Sequence, residues 1–192
     1  LNTSLWLTVV LALAVVLGFF ADMPAISTRL MAVPDMWLAV LGSTMTAVLA
    51  AFATFQLALP DRSPWWGLSP LPGLALWIGA SGLGCARSWL VPGTTDISMA
   101  ESSHCMMFIV VISAPLSVAL FFMLRRGYSL YPTLTGGMAG LAIAAAAATL
   151  LNFFHPYDAA LDDLLIHATA VLLVVVANRA IGGAMFGVSR QH

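Results

Sequence analysis

Apolar residues run through this chain in long blocks separated by short polar breaks. Six blocks stand out, at about 5–21, 37–59, 71–90, 105–124, 134–154 and 164–181. Each is close to the ~20 residues that an α-helix needs to cross a hydrocarbon core of about 30 Å. Within them, positions 142–148 and 171–176 are apolar without exception. Strands of a membrane barrel would instead alternate apolar and polar over about ten positions. Helices, which satisfy their own backbone hydrogen bonds, suit an uninterrupted apolar run. The pattern predicts an all-α, polytopic integral membrane protein, a single domain over 1–192 built as a bundle of six transmembrane helices.

The polar breaks support that division. Asp22, Pro24, Arg29, Pro34 and Asp35 separate the first two blocks, and Pro60-Asp61-Arg62-Ser63-Pro64 leads to the third. The longest connection, 91–104, holds Pro92, Gly93, Asp96 and Glu101, and the fourth block stops at Arg125-Arg126-Gly127. Trp37, Trp65, Trp66 and Trp89 fall near block ends, where indole rings favour the headgroup zone. The chain opens at Leu1 with no initiator methionine, which points to a leader or cytoplasmic segment before it. The first block is long for a signal-peptide core and lacks a basic flank, so it reads as a mature span.

Composition agrees. Of 192 residues, 61% are hydrophobic and 8% charged, whereas a water-facing domain carries about 25% charged residues. With net charge −1 and no lysine, no basic surface for nucleic acid is available.

Charge also sets an orientation. If connections alternate between faces, one face collects Arg62, Arg125, Arg126, Arg179 and Arg190 against Asp61 alone. The other collects Arg29 and Arg87 against Asp22, Asp35, Asp96, Glu101, Asp158, Asp162 and Asp163. Arginines stay on the cytoplasmic side. The expectation is therefore that both termini are cytoplasmic, and that the acidic face is periplasmic in a Gram-negative bacterium. Small residues such as Gly136 and Gly140, Gly183 and Gly187, and Gly79, Gly82 and Gly84 would let helices pack closely within the bundle.

Candidate chemistry gathers on the acidic face. Cys85 lies near the end of the third block and Cys105 opens the fourth, with His104, His155 and Asp158 on the same side. His167 stands one turn after Asp163 on a shared helix face. Thiolate and imidazole are ligands for zinc and other soft metals, which makes Cys105, His104, His155 and Cys85 a candidate metal set. Cys85 and Cys105 are equally a candidate redox pair in an oxidising compartment, or small core residues of apolar helices. No span carries a buried carboxylate pair, as a pump or transporter would. No hydrolase, zinc-protease or P-loop pattern is present. An enzyme is not expected, nor is a bound cofactor, a soft metal ion acting as signal being the exception.

The run from Cys105 through Leu124-Arg125-Arg126-Gly127, then Pro132-Thr133-Leu134-Thr135-Gly136-Gly137-Met138-Ala139-Gly140-Leu141, resembles the NrsF-type membrane anti-sigma factors. The alanine-rich continuation ending Asn152-Phe153-Phe154-His155-Pro156-Tyr157-Asp158 resembles them too. The resemblance covers most of the chain and is most specific over 105–183. It implies six helices with cytoplasmic termini in the bacterial inner membrane. It also implies a cytoplasmic partner, an extracytoplasmic-function (ECF) sigma factor, held at rest and released on a metal or oxidative stress signal. Sensing in such proteins would use periplasmic cysteines, one of which maps to Cys105. The second would follow the histidine after the fifth span, where this chain has Pro156. Either Cys85 takes that partner role, or a single thiol or a Cys105–His155 metal site replaces the pair. On the cytoplasmic side, Arg62, Arg125 and Arg126 are the expected sigma contacts. A structural or accessory subunit of a larger membrane complex is the alternative reading.

Overall fold

A computed structural model describes residues 2–22, 24, 26–28, 34–90, 99–125, 127, 129–152 and 161–187. Side chains are described for these except at 34–35, 84–90, 99–104, 161–163 and 186–187. Among the described residues the chain is helical and holds no strand. Six longer helices follow one another: α1 (Asn2–Gly18), α2 (Pro34–Leu57), α3 (Leu71–Leu90), α4 (Met99–Leu124), α5 (Pro132–Leu151) and α6 (Leu161–Gly187). A short 3-10 helix, Pro64–Leu68, sits between α2 and α3. Each long helix overlaps one of the six apolar blocks.

Among the described residues, four stretches are long and apolar enough to cross a membrane: Met36–Leu57, Cys105–Leu124, Pro132–Leu151 and Leu164–Met185. α1 has 17 residues, about 25 Å at 1.5 Å per residue, at the short end of the range that membrane-spanning helices take.

α5 is the central post. It packs against α2, α4 and α6, and 72% of its length is buried, against 17% for the α6 span. Its sequence explains that position. Residues 142–148 are alanines apart from Ile143, and Gly136 and Gly140 leave the helix with almost no side-chain thickness on one face. Neighbours can then approach to backbone distance, and dispersion gained there does what the hydrophobic effect cannot do in lipid. A Cβ on Gly136 would lie 2.6 Å from the Asn178 carbonyl oxygen, and one on Gly140 would lie 2.7 Å from Val175 Cα. From the other side, a Cβ on Gly182 would meet Gly136 Cα at 2.6 Å. The expectation of packing within the bundle is borne out for Gly136 and Gly140 but not for Gly79 and Gly82, where an added Cβ would meet nothing within 4 Å. α6's counterpart at the closest approach is Gly182, with Gly183 against Thr133.

A second glycine seam joins α2 to α3. A Cβ on Gly42 would lie 2.5 Å from the Trp77 backbone nitrogen, and one on Gly73 would lie 2.7 Å from that of Thr46. α3 therefore starts well inside the bundle. The Ser69 hydroxyl donates to the Leu49 carbonyl at 3.4 Å, eight residues before α2 ends, or about 12 Å along its axis. The 3-10 helix fills the step, with Trp66 edge-on to Phe52 at 5.3 Å between ring centroids. Pro64 occupies its first turn and the Ser63 hydroxyl accepts from the Trp65 amide.

On α4, the buried residues are Cys105, Ile109, Ser113, Leu116, Leu120, Phe121 and Leu124. Their three- and four-residue spacing draws one inward stripe. Met107, Val111, Val118 and Phe122 are exposed, as lipid-facing positions are in a membrane helix.

Candidate functional site

One end of the bundle gathers arginines on short, well-held connections. α4 stops where the Gly127 amide donates to the Leu124 carbonyl at 2.8 Å. A Cβ on Gly127 would meet Ala58 Cβ at 3.2 Å, so the connection into α5 lies against the end of α2. A buried hydroxyl latch fixes this junction. The Ser129 hydroxyl donates to the Leu57 carbonyl at 2.9 Å and lies 2.7 Å from Thr135 Oγ1. Thr135 Oγ1 also reaches the Leu57 carbonyl, at 3.5 Å, and either hydroxyl can be the donor between the two. The Tyr131 amide, at the start of α5, donates to Ser129 Oγ at 3.1 Å. Three segments thus share one buried hydroxyl: the end of α2, the 127–131 connection and the first turn of α5. Pro132 then opens α5, where a missing amide proton costs nothing.

The arginines stand on this frame. Arg62 and Arg125 are exposed, at the end of α2's connection and of α4 respectively. The Arg125 guanidinium lies 3.9 Å from the Phe122 ring centroid, a cation–π contact that holds the head against the helix end. Arg179 is exposed on α6, with its Cα packed near Gly136. Arg62, Arg125 and Arg179 therefore lie at one end, together with Trp65 (74% exposed) and Tyr131. Arg126 lies outside the described residues.

Cys105 occupies the other end of α4. Arg125, just past the end of α4, is twenty residues after Cys105, so the two stand about 30 Å apart along the helix axis. That is the thickness of a hydrocarbon core. The Cys105 side chain is 7% exposed and belongs to the inward stripe. Cys85 lies on α3 and His104 on α4 beside Cys105, but their side chains are outside the described residues, as is His155 altogether. His167 is half-buried on α6. Among the described residues, no group of three or more His, Cys, Asp or Glu side chains could hold a metal ion.

Two features of the site had no counterpart in the sequence reading. The Ser129–Thr135 latch rests on ordinary hydroxyls whose roles depend on a partner 72 or more residues away. The inset start of α3 depends on the tucked 3-10 helix. The signal for the second was present, since Ser63-Pro64 is a cap followed by a first-turn proline.

Comparison with known proteins agrees with the earlier resemblance. The sequence model of the family NrsF, described as negative regulator of sigma F, matches residues 1–186. No curated protein and no solved structure matches the chain. With all but the last six residues matched, the chain belongs to the NrsF family.

Proposed function

From this membership in a family of negative regulators of a sigma factor, we propose that the chain is a membrane-resident anti-sigma factor. In this reading it crosses the bacterial inner membrane six times, with both termini in the cytoplasm. The arginine end faces the cytoplasm and holds an ECF sigma factor through Arg62, Arg125 and Arg126. The end bearing Cys105 faces the periplasm and receives a metal or oxidative signal.

The observation that supports the reading most is the placement on α4. One helix carries an inward thiol at one end and an exposed arginine about 30 Å away at the other. Modifying or ligating Cys105 would change how α4 packs against its neighbours and so disturb the arginine end. A signal that moves a two-state bundle from 1:99 to 99:1 must favour one state by about 5.5 kcal/mol. A thiolate–metal bond or a disulfide with Cys85 supplies energy of that order.

The test is genetic. In cells carrying a promoter driven by the cognate sigma factor, Cys105→Ser is expected to keep the promoter silent under soft metal or thiol oxidant, while the unaltered protein releases it. Unchanged induction in Cys105→Ser would remove the thiol from the mechanism. The pair Arg62→Ala with Arg125→Ala is expected to raise the uninduced level.

A further inference from the structure

The 3-10 helix and α3 run as one rod along α2. Trp66 meets Phe52, the Ser69 hydroxyl reaches the Leu49 carbonyl, Gly73 lies against Thr46, and Trp77 against Gly42. Each advance along the rod is matched by an equal step in the opposite sense on α2. Backbone bonds carry the chain across the joint. The Trp66 amide donates to the Ser63 carbonyl at 3.3 Å, the Ser69 amide to the Trp66 carbonyl at 3.1 Å, and the Leu74 amide to the Pro70 carbonyl at 2.9 Å. Pro70 and Pro72 have no amide proton to give, so an unbroken α-helical ladder cannot form there.

α3 needs this extension to cross a membrane. Its uncharged part, from Leu71 to the Ala86 that precedes Arg87, is 16 residues or about 24 Å. The shortest spanning helices have about 17 residues. Pro64–Leu68 adds five residues at about 2.0 Å each, which brings the uncharged rod past ~30 Å.

Exposure shows where water stops. Asp61, Arg62 and Ser63 are exposed and polar. Beyond them the outward positions are apolar: Trp65, Leu68, Leu71, Ala75 and Ile78, at spacings of three and four. Residues three apart eclipse in a 3-10 helix, so Trp65 and Leu68 share one edge, and that edge continues into the outer face of α3. The row also lies below the end of the bundle. The apolar stretches of α2, α4 and α5 have their ends at Leu57, Leu124 and Pro132, held together by the Ser129–Leu57 bond and the Gly127–Ala58 contact. Phe52, which Trp66 touches, is five residues before Leu57, about 7 Å deeper.

We propose that the Trp65–Leu68 row is seated in phospholipid, and that the third crossing starts at Trp65 rather than at Leu71. The Trp65 indole lies at the headgroup level that tryptophan favours, and Leu68 lies among the acyl chains. Asp61 and Arg62 stay in water. The surface left to a soluble partner on this connection therefore ends at Ser63.

The experiment measures depth, on the purified chain in lipid nanodiscs with no partner protein. A spin label on an unnatural amino acid replaces Asp61, Leu68 or Ile78, one at a time; all three positions are exposed. Collision with a water-soluble nickel chelate, which a hydrocarbon layer excludes, is expected to be lower at Leu68 than at Asp61 by about threefold or more. Leu68 should side with Ile78, which marks the lipid face of α3. A Leu68 label as open to the chelate as Asp61 would overturn the proposal and make the row a water-facing surface. A second readout needs no label. In nanodiscs of phospholipid brominated at shallow acyl carbons, Trp65→Phe should lower the fraction of tryptophan emission that is quenched, and an unchanged or higher fraction would overturn the proposal too. Neither readout involves a sigma factor, so either negative result leaves the proposed function standing.

Discussion

Single atoms decide more at the arginine end than its sequence suggests. Ser129→Ala removes the proton given to the Leu57 carbonyl and the acceptor used by the Tyr131 amide. Groups left unsatisfied out of water cost about 1–3 kcal/mol each. The variant is expected to unfold earlier by that order in a thermal or denaturant series in detergent micelles. Thr135→Val should cost less, because Ser129 keeps its bond to Leu57. Glycines give a sharper contrast. Gly136→Ala forces a methyl to within 2.6 Å of the Asn178 carbonyl, and overpacking of this kind costs about 1–3 kcal/mol. Gly79→Ala meets nothing within 4 Å and is expected to be neutral, or to gain up to about 1 kcal/mol from helix propensity. Equal losses in both variants would contradict the seam.

Among the elements, hydrophobic blocks located the six long helices of the described residues because lipid rewards apolarity over a full helix length. The ends were less legible. α4 begins at Met99 rather than near Cys105, since Glu101, Ser102, Ser103 and His104 read as a polar loop in the sequence. The 134–154 block begins instead at Pro132, where a proline suits the first turn, and closes at Leu151. Asn152 finishes it by donating from its amide Nδ2 to the Ala148 carbonyl at 3.0 Å. The inset of α3 could not be seen in the blocks, because it depends on Gly73 reaching Thr46 and on Ser69 reaching Leu49. For the candidate site, Arg62 and Arg125 were readable as exposed charges between apolar blocks. The burial of Cys105 answers to one of the readings its sequence left open, a small core residue of an apolar helix, although the apolar pattern of a membrane helix does not tell which side meets protein and which meets lipid. Trp66 should be an element-level anchor: Trp66→Ala removes the contact with Phe52 and is expected to loosen the step before α3, read as faster proteolysis at 58–70.

At the scale of the molecule, the account rests on direction and on partner. Direction is checked by thiol labelling with an impermeant maleimide in a background lacking Cys85 and Cys105. Trp65→Cys should label only after the inner membrane is permeabilised, and Asp22→Cys should label in intact spheroplasts. Both labelling alike would break the six-span arrangement. Partner is the central claim, and one measurement reaches it most directly. The chain is purified from native membranes, before and after thiol oxidant or soft metal, and the soluble proteins it retains are identified. The account predicts a sigma factor that co-purifies at rest and leaves on treatment. Retention of no sigma factor under any condition, with other membrane chains in its place, would contradict it and favour an accessory subunit of a larger membrane complex.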